Sequence, residues 1–465
     1  MSKQKRQLHL NLFMMSTGHH EASWRHPDAE PARHIDIRYF QDLAETAERA
    51  KLDSLFLADG LSNYGGSPYS RQGGLEPFTL LSALASVTRH IGLIGTVSTT
   101  YNEPFHVARK FASLDHISNG RAGWNIVTSA DEQSAFNFSR EQHLEHSSRY
   151  SRANEFLEVT TKLWDSWEDE APVRDKETGI YADIEKIRAI DHKGEWFSVK
   201  GPLNVPRPPQ GYPLLVQAGS SESGKSFAGR WAEAIFTAQQ TLEEAQEFYA
   251  DVKARADHYG RRAEEVQILP GFSPVIGDTH AEAVDKEGRL HDLIAPERAL
   301  TQFSRLFKLD LFSYPLDSPF PELPPAEQVN GSQSRYKLIR DLIDREKPTI
   351  RELIHRLAGG RGHRTFAGTP IEVADALEEW FTLGAADGFN IMPALLPDGL
   401  RDFADKVVPE LQRRGLFRTE YTGQTLRENY GLERPHNQFT LQNRSEITPF
   451  AIDTVTERQG ELVTS

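Results

Sequence analysis

The residues best placed to do chemistry concentrate at one turn, Gly219-Ser220-Ser221-Glu222-Ser223-Gly224-Lys225-Ser226, which follows an apolar segment and precedes one of helical period. Unpaired N–H groups at a helix start, hydroxyls beside them and little steric bulk make an anion site. The run also matches the P-loop pattern G-x-x-x-x-G-K-[ST], which makes a nucleoside triphosphate one ligand to weigh. A P-loop works with an apolar strand that ends in a magnesium-binding Asp, and Ser273–Asp278 is a poor candidate for it. Glu222 would also set a carboxylate beside the triphosphate. A monophosphate at the same helix end needs neither magnesium nor the lysine. The plain alternative is an N-cap with two serines and no ligand.

Histidines raise a second possibility. His19, His20, His26 and His34 cluster early, and His20-Glu21 begins like H-E-x-x-H, but Trp24 stands where the second histidine belongs. His143 and His146 could share a helix face, yet no third ligand sits at metal spacing, so no metal is expected. His146 and Tyr150, four apart, can instead present two donors at a helix start to a phosphate or ribityl chain. Asp59, before Gly60, suits a general base, a ribityl or ring-amide partner, or a simple turn residue. No G-x-S-x-G elbow supports a hydrolase triad. The chain has no cysteine, which excludes disulfides, thiolate zinc sites, iron–sulfur clusters and a cysteine nucleophile. Redox chemistry would then come from a borrowed organic cofactor or from a metal held by His, Asp and Glu. No G-x-G-x-x-G fingerprint marks an NAD(P)H domain.

The elements that must position these residues alternate. Short apolar segments separate longer ones of helical period, as in repeated β–α units around a parallel sheet. Strands are predicted at Leu8–Met15, Ser54–Ala58, Ile91–Ser98, Ala122–Thr128, Leu214–Gln217, Ala234–Thr237, Val266–Ile276 and Gly388–Met392. Helices are predicted at Ile37–Ala50, Phe78–Val87, Pro104–Ser118, Arg149–Trp167, Ser223–Ala232, Leu242–Tyr259, Ile371–Leu383 and Leu400–Arg414. Eight such units favour an α/β fold of the (β/α)8 TIM barrel type, with insertions, as one domain over residues 1–465. Residues 277–364 interrupt the pattern as an insertion, either a lid or a helical outrigger for subunit contacts, rejoining near His363 and Arg364. Residues 418–465 form a polar C-terminal extension expected to wrap the surface or a partner subunit. In such barrels chemistry sits where the strands end, which points to Ser16–Trp24, Asp59–Tyr64, Thr96–Tyr101, Asn125–Ser129, Gln217–Ser221 and Met392–Leu396. The 465 residues carry 38% hydrophobic and 26% charged side chains and a net charge of −14. That is enough to bury a large core, and no nucleic-acid surface is indicated. No apolar run approaches the roughly 20 residues of a membrane span, and Met1–Gln7 leads into Leu8–Met15 without a signal-type cleavage site. A cytoplasmic location is expected.

Taken together, several segments resemble the bacterial-luciferase-like flavin monooxygenases. They are Gly120-Arg121-Ala122-Gly123-Trp124-Asn125-Ile126-Val127-Thr128-Ser129, Gly18-His19-His20 through Trp24-Arg25-His26-Pro27, Tyr101-Asn102-Glu103-Pro104-Phe105, Leu163-Trp164-Asp165-Ser166-Trp167, Gln217-Ala218-Gly219-Ser220-Ser221 and Ala385-Ala386-Asp387-Gly388-Phe389-Asn390. The likeness runs in order from about Leu8 to Pro435. It is strongest to the subgroup of nitrilotriacetate monooxygenase component A, dibenzothiophene-sulfone monooxygenase and long-chain alkane monooxygenase. The resemblance implies a luciferase-like barrel that holds FMN non-covalently through Asp59, Thr96, His146, Tyr150 and Ser221, with Asn125 and Ser220 as additions. Ser98 and Thr99 compete for the place of Thr96. It further implies a two-component enzyme: a separate NAD(P)H-dependent flavin reductase supplies reduced FMN, which reacts with O2 and oxygenates a small organic substrate through a flavin (hydro)peroxide. His20, Tyr64 and His146 are the first candidates to hydrogen-bond that peroxide as catalytic residues. A homo-oligomer, dimer or tetramer, is expected, with no membrane or nucleic-acid partner. Aromatic residues near strand ends suit an apolar substrate, while Arg25, Arg71 and Arg140 suit a carboxylated one. The other readings are a P-loop nucleotide hydrolase resting on Gly219–Ser226, and a barrel that binds flavin without turnover.

Overall fold

Leucine-, isoleucine- and phenylalanine-rich runs of four to ten residues form a ring of parallel strands in the computed structural model, which describes residues 6–63, 68–69, 72–323 and 333–442. In chain order the first half is β1 (His9–Phe13), α1 (Ile37–Arg49), β2 (Ser54–Leu57), α2 (Pro77–Leu84), β3 (Gly92–Ser98), α3 (Pro104–Ile117), β4 (Ala122–Val127) and α4 (His146–Trp164). A small antiparallel pair, β5 (His192–Lys193) and β6 (Ser198–Val199), follows α4. Then follow β7 (Leu214–Gln217), α5 (Glu222–Trp231), β8 (Ala234–Thr237), α6 (Leu242–His258) and β9 (Gln267–Ile276). The interruption holds α7 (His280–Asp292), α8 (Pro296–Phe307), α9 (Gln333–Glu346) and α10 (Ile350–Gly360). The chain resumes with β10 (Arg364–Gly368), α11 (Pro370–Thr382), β11 (Gly388–Ile391), α12 (Asp398–Asp402), α13 (Val408–Arg413) and α14 (Leu426–Asn429).

The eight strands read from the sequence close the ring in the order β1-β2-β3-β4-β7-β8-β9-β11 and back to β1, every pairing parallel. The fold is a (β/α)8 barrel. A ninth strand, β10, was not legible. It pairs only with the last five residues of β9, beyond the reach of β8, and is only partly buried, so it lacks the apolar run that marks a barrel strand. Helix starts follow capping chemistry: Ser221, Thr241, Thr279, Thr349 and Thr369 each accept a backbone N–H in the first turn.

Two apolar layers sit on either side of the strands. Outward residues such as Leu10, Leu55, Leu93 and Trp124 pack under the helices, while Phe13, Phe56, Ile94, Val216, Phe236 and Met392 fill the barrel interior. The base of that interior is shut by the segment after Phe417, which the sequence placed on the surface or on a partner subunit. Leu426 is 0% and Tyr430 1% exposed. Leu426 N donates to Gly120 O at 2.9 Å, Tyr430 Oη donates to Asn11 Oδ1 at 2.7 Å, and the Tyr430 ring stacks on His9 at 4.5 Å. Arg418 pairs with the buried Asp53. Leu426, Tyr430 and Leu432 interrupt a polar stretch too sparsely to show helical period, which is why the sequence reads as an extension.

At the opposite end, α8, α9 and α10 share a core of their own that includes Phe303, Phe307, Ile339, Leu342 and Leu353. The insertion docks on the barrel rim through the Arg298–Glu21 ion pair at 2.9 Å and a Ser273 Oγ to Gly359 O bond at 3.1 Å. Among the described residues no helix is long and apolar enough to cross a membrane.

Candidate active site

The turn after β7 keeps the geometry that its residues predict. Ser221 caps α5, its Oγ accepting from Gly224 N at 3.1 Å. Gly219 and Gly224 are glycines because the space is taken: a Cβ on Gly224 would lie 3.0 Å from Tyr150 Oη and 3.1 Å from Ser221 Oγ. The Tyr150 hydroxyl is thereby brought onto the start of α5. Lys225 turns away, paired with Glu222 at 2.6 Å and Asp251 at 2.5 Å. Asp278, the one candidate for a magnesium ligand, is tied to Lys406 at 2.8 Å on the surface. The P-loop reading therefore loses its lysine, its acid and, in a closed barrel, its sheet. No metal-binding group of His, Cys, Asp and Glu occurs among the described residues.

A cavity of about 650 Å³ opens at this turn, where β2, β3, β4 and β7 end, and Asp59, Thr96, His146, Tyr150, Ser220 and Ser221 all line it. Asn125 stands one layer back. The β3–β4 register places it opposite Thr96, its Nδ2 donates to Thr96 Oγ1 at 2.7 Å, and Thr96 Oγ1 donates to Leu57 O at 2.8 Å. Its Oδ1 is buried without a partner. His146 and Tyr150 share a face of α4, ring centroids 5.0 Å apart. Burial, with Arg149 beside it, lowers the His146 pKa, so the imidazole is neutral near pH 7. Desolvation raises the Asp59 carboxyl, with a smaller contribution from Glu76, against a Gly60 N–H bond of 2.9 Å that lowers it.

One group at this wall was missed, and a second, His143, was weighed only as a metal ligand. Arg149 lines the cavity, anchored by Nη1 to Ser129 O at 2.5 Å, with Nε unpartnered. Its place three residues after His146 on the same helix face was the available signal. His143 bridges Tyr101 Oη at 2.6 Å and Ser129 O at 3.0 Å, and burial lowers its pKa.

Of the other catalytic candidates, His20 falls elsewhere. His20 does not line the cavity. It is buried beneath the insertion, with Nε2 unpartnered, its ring 5.5 Å from His291, which stacks on His355 at 4.6 Å. Burial, and then these two neighbours, push it down to about 3. Tyr64 lies outside the described residues. His363, where the insertion rejoins the barrel, stacks on Phe236 at 4.7 Å.

A second cleft, about 810 Å³, shares His146, Ser220 and Ser221 with the cavity and is faced by Lys337, Leu338 and Asp341 of α9.

Comparison with known proteins gives the arrangement its context. The family profile described as "Luciferase-like monooxygenase" matches residues 12–387. The chain is 55% identical over 440 residues to the N-acetyl-S-(2-succino)cysteine monooxygenase of Bacillus subtilis (strain 168), covering 94% of this chain and 100% of that one. It is 51% identical over 445 residues to nitrilotriacetate monooxygenase component A of Aminobacter aminovorans, covering 93% and 98%. Among solved structures, a riboflavin lyase with modified FMN and riboflavin superposes with a TM-score of 0.81 at 34% identity, covering 92% of this chain and 97% of that one.

Proposed function

The chain belongs to the luciferase-like monooxygenase family and is an oxidoreductase of the monooxygenase type; from that premise we propose that it binds reduced FMN, delivered by a separate NAD(P)H:flavin reductase, and uses it with O2 to oxygenate a small organic substrate. The observation that carries this reading is the convergence of Asp59, Thr96, His146, Tyr150, Ser220 and Ser221 on one cavity. The residues fit the cofactor. The positive end of α5, the hydroxyls of Ser220 and Ser221 and the Tyr150 hydroxyl serve a phosphate without metal. The unpartnered Nε of Arg149 and Oδ1 of Asn125 are polar atoms awaiting a ligand. Bound reduced flavin supplies the two electrons that let one oxygen atom enter the substrate while the other leaves as water.

The chain's own residues then bind, orient and exclude water. Thr96 and Asn125 hold the ring end of the cofactor, Asp59 takes the ribityl chain or a ring amide, and neutral His146 donates or accepts a hydrogen bond at the cavity wall. The insertion over residues 277–364 acts as a lid, because α9 faces Ser220 and Ser221 across the second cleft. The protein works in the cytoplasm as a dimer or tetramer.

Titration tests the reading. Reduced FMN binds without magnesium, ATP with magnesium does not, and Ser221→Ala lowers FMN affinity by about tenfold or more. ATP binding together with an unchanged FMN affinity in Ser221→Ala would refute it. Oxygen-dependent product formation in the presence of a flavin reductase distinguishes turnover from mere flavin carriage.

A further inference from the structure

Beside the flavin cavity lies a second concave site that the reaction so far leaves without a use. It is a cleft of about 510 Å³ between the first turn of α3, the Phe138–Arg140 turn and the outer face of α4. Lys110, Arg140 and Arg152 bring three cations to it against the single carboxylate of Glu103, in a chain whose net charge is −14. Glu103 reaches only Arg152, at 3.8 Å. Among the described residues, neither Arg140 nor Lys110 has a carboxylate within ion-pair distance. Arg140 donates to Thr100 O at 3.1 Å and lies 5.3 Å over the Tyr101 ring. Arg152 is 6% exposed, yet its Nη1 has no hydrogen-bond partner. Burying an arginine with an unused donor beside a second guanidinium is costly unless an anion completes the set. The positive end of α3, where Glu103 makes no capping bond, adds to the field. Tyr101 and Phe138, stacked at 4.7 Å, give the cleft an apolar wall.

We propose that this cleft is an oxyanion site that takes a small polycarboxylate, its carboxylates on Arg140, Arg152 and Lys110 and its carbon skeleton against Tyr101 and Phe138. Only a thin wall separates it from the flavin cavity: Thr100 Oγ1 donates to Thr128 O at 2.7 Å, and Thr128 and Ser129 line the other side. On the flavin reading, an acid held behind that wall does not reach the cofactor, and the cleft is a binding site separate from the centre of oxygenation.

The test is calorimetric titration of citrate, and separately of inorganic phosphate, into FMN-loaded protein, so that the phosphate site at α5 is already filled. Citrate binds, and Arg140→Gln and Lys110→Gln each weaken it about tenfold while FMN affinity stays unchanged. No citrate binding, or binding that neither substitution alters, overturns the proposal. Phosphate binding more tightly than citrate overturns the carboxylate assignment. If FMN itself fails to bind, the flavin reading falls, and citrate titrated into the unloaded protein and its Ser221→Ala variant still reports on the cleft.

Discussion

At the scale of single residues, the contact between Gly224 and Tyr150 is the most exposed to experiment. A methyl at residue 224 would meet the Tyr150 hydroxyl and the Ser221 hydroxyl at once, although alanine is the better helix former by about 1 kcal/mol. Gly224→Ala is therefore expected to leave the melting temperature nearly unchanged while lowering FMN affinity about tenfold. Adding Tyr150→Phe should not recover that loss, because it removes a hydroxyl that serves the phosphate. Parallel flavin titration of the single and double variants checks this; a Gly224→Ala protein of ordinary affinity would show that the turn does not hold the phosphate. Ser220, Ser221, His146 and Tyr150 could be brought to one cavity from the sequence because the serines follow an apolar strand at a helix start and the other two form an i, i+4 pair, although an N-cap and a surface histidine would leave the same local pattern. Arg149 could not be placed there, since an arginine inside a helix reads as a solvated charge until its neighbours are known. His20 follows β1 as an active-site residue would, but the helices that cover it come from more than 260 positions later in the chain.

The insertion carries its own signature at the scale of elements. Its docking buries His20 against His291 of α7 and His355 of α10. Glu21 and Arg298, Asp292, Arg351, Glu352 and Arg361 are the charged groups around the trio. Burial first, and mutual repulsion next, depress His20 to about 3 and His291 to about 4, and His355 is lowered too. A histidine with a depressed folded-state pKa binds protons preferentially when unfolded. The stability these groups contribute is thus complete above about pH 6.5 and drains away as pH falls toward the folded values. For His20 alone the loss at pH 5 is on the order of 2 kcal/mol. Urea unfolding at pH 7.5 and 5 should show it, and His20→Phe should flatten the pH dependence. An equally steep curve in that variant would assign the acid sensitivity elsewhere. Barrel strands and helices were readable because each has its own period and cap. The insertion was not, because α8 to α10 bury apolar faces on one another around a proline-rich stretch, leaving no repeat to extrapolate.

For the whole molecule, the base of the barrel decides integrity. Leu426 fills space beside Gly92, and its backbone and the hydroxyl of Tyr430 tie this segment to the turn before β4 and to β1. Leu426→Ala is expected to cost about 2–5 kcal/mol in chemical denaturation with flavin affinity little changed, since the cavity is at the other end. A chain ending at Phe417 should fail to unfold cooperatively. A truncated protein with the full melting temperature would show that the plug is dispensable. This feature also sets a timetable. Because residues 11 and 430 meet directly, an emerging polypeptide cannot shut its base until residue 430 has been synthesised. Until then the apolar barrel interior is open at its floor, and the nascent barrel stays dependent on whatever shields apolar surface in the cell. Maturation is thus gated by the segment that follows Phe417, one that lies wholly outside the stretch matched by the family profile.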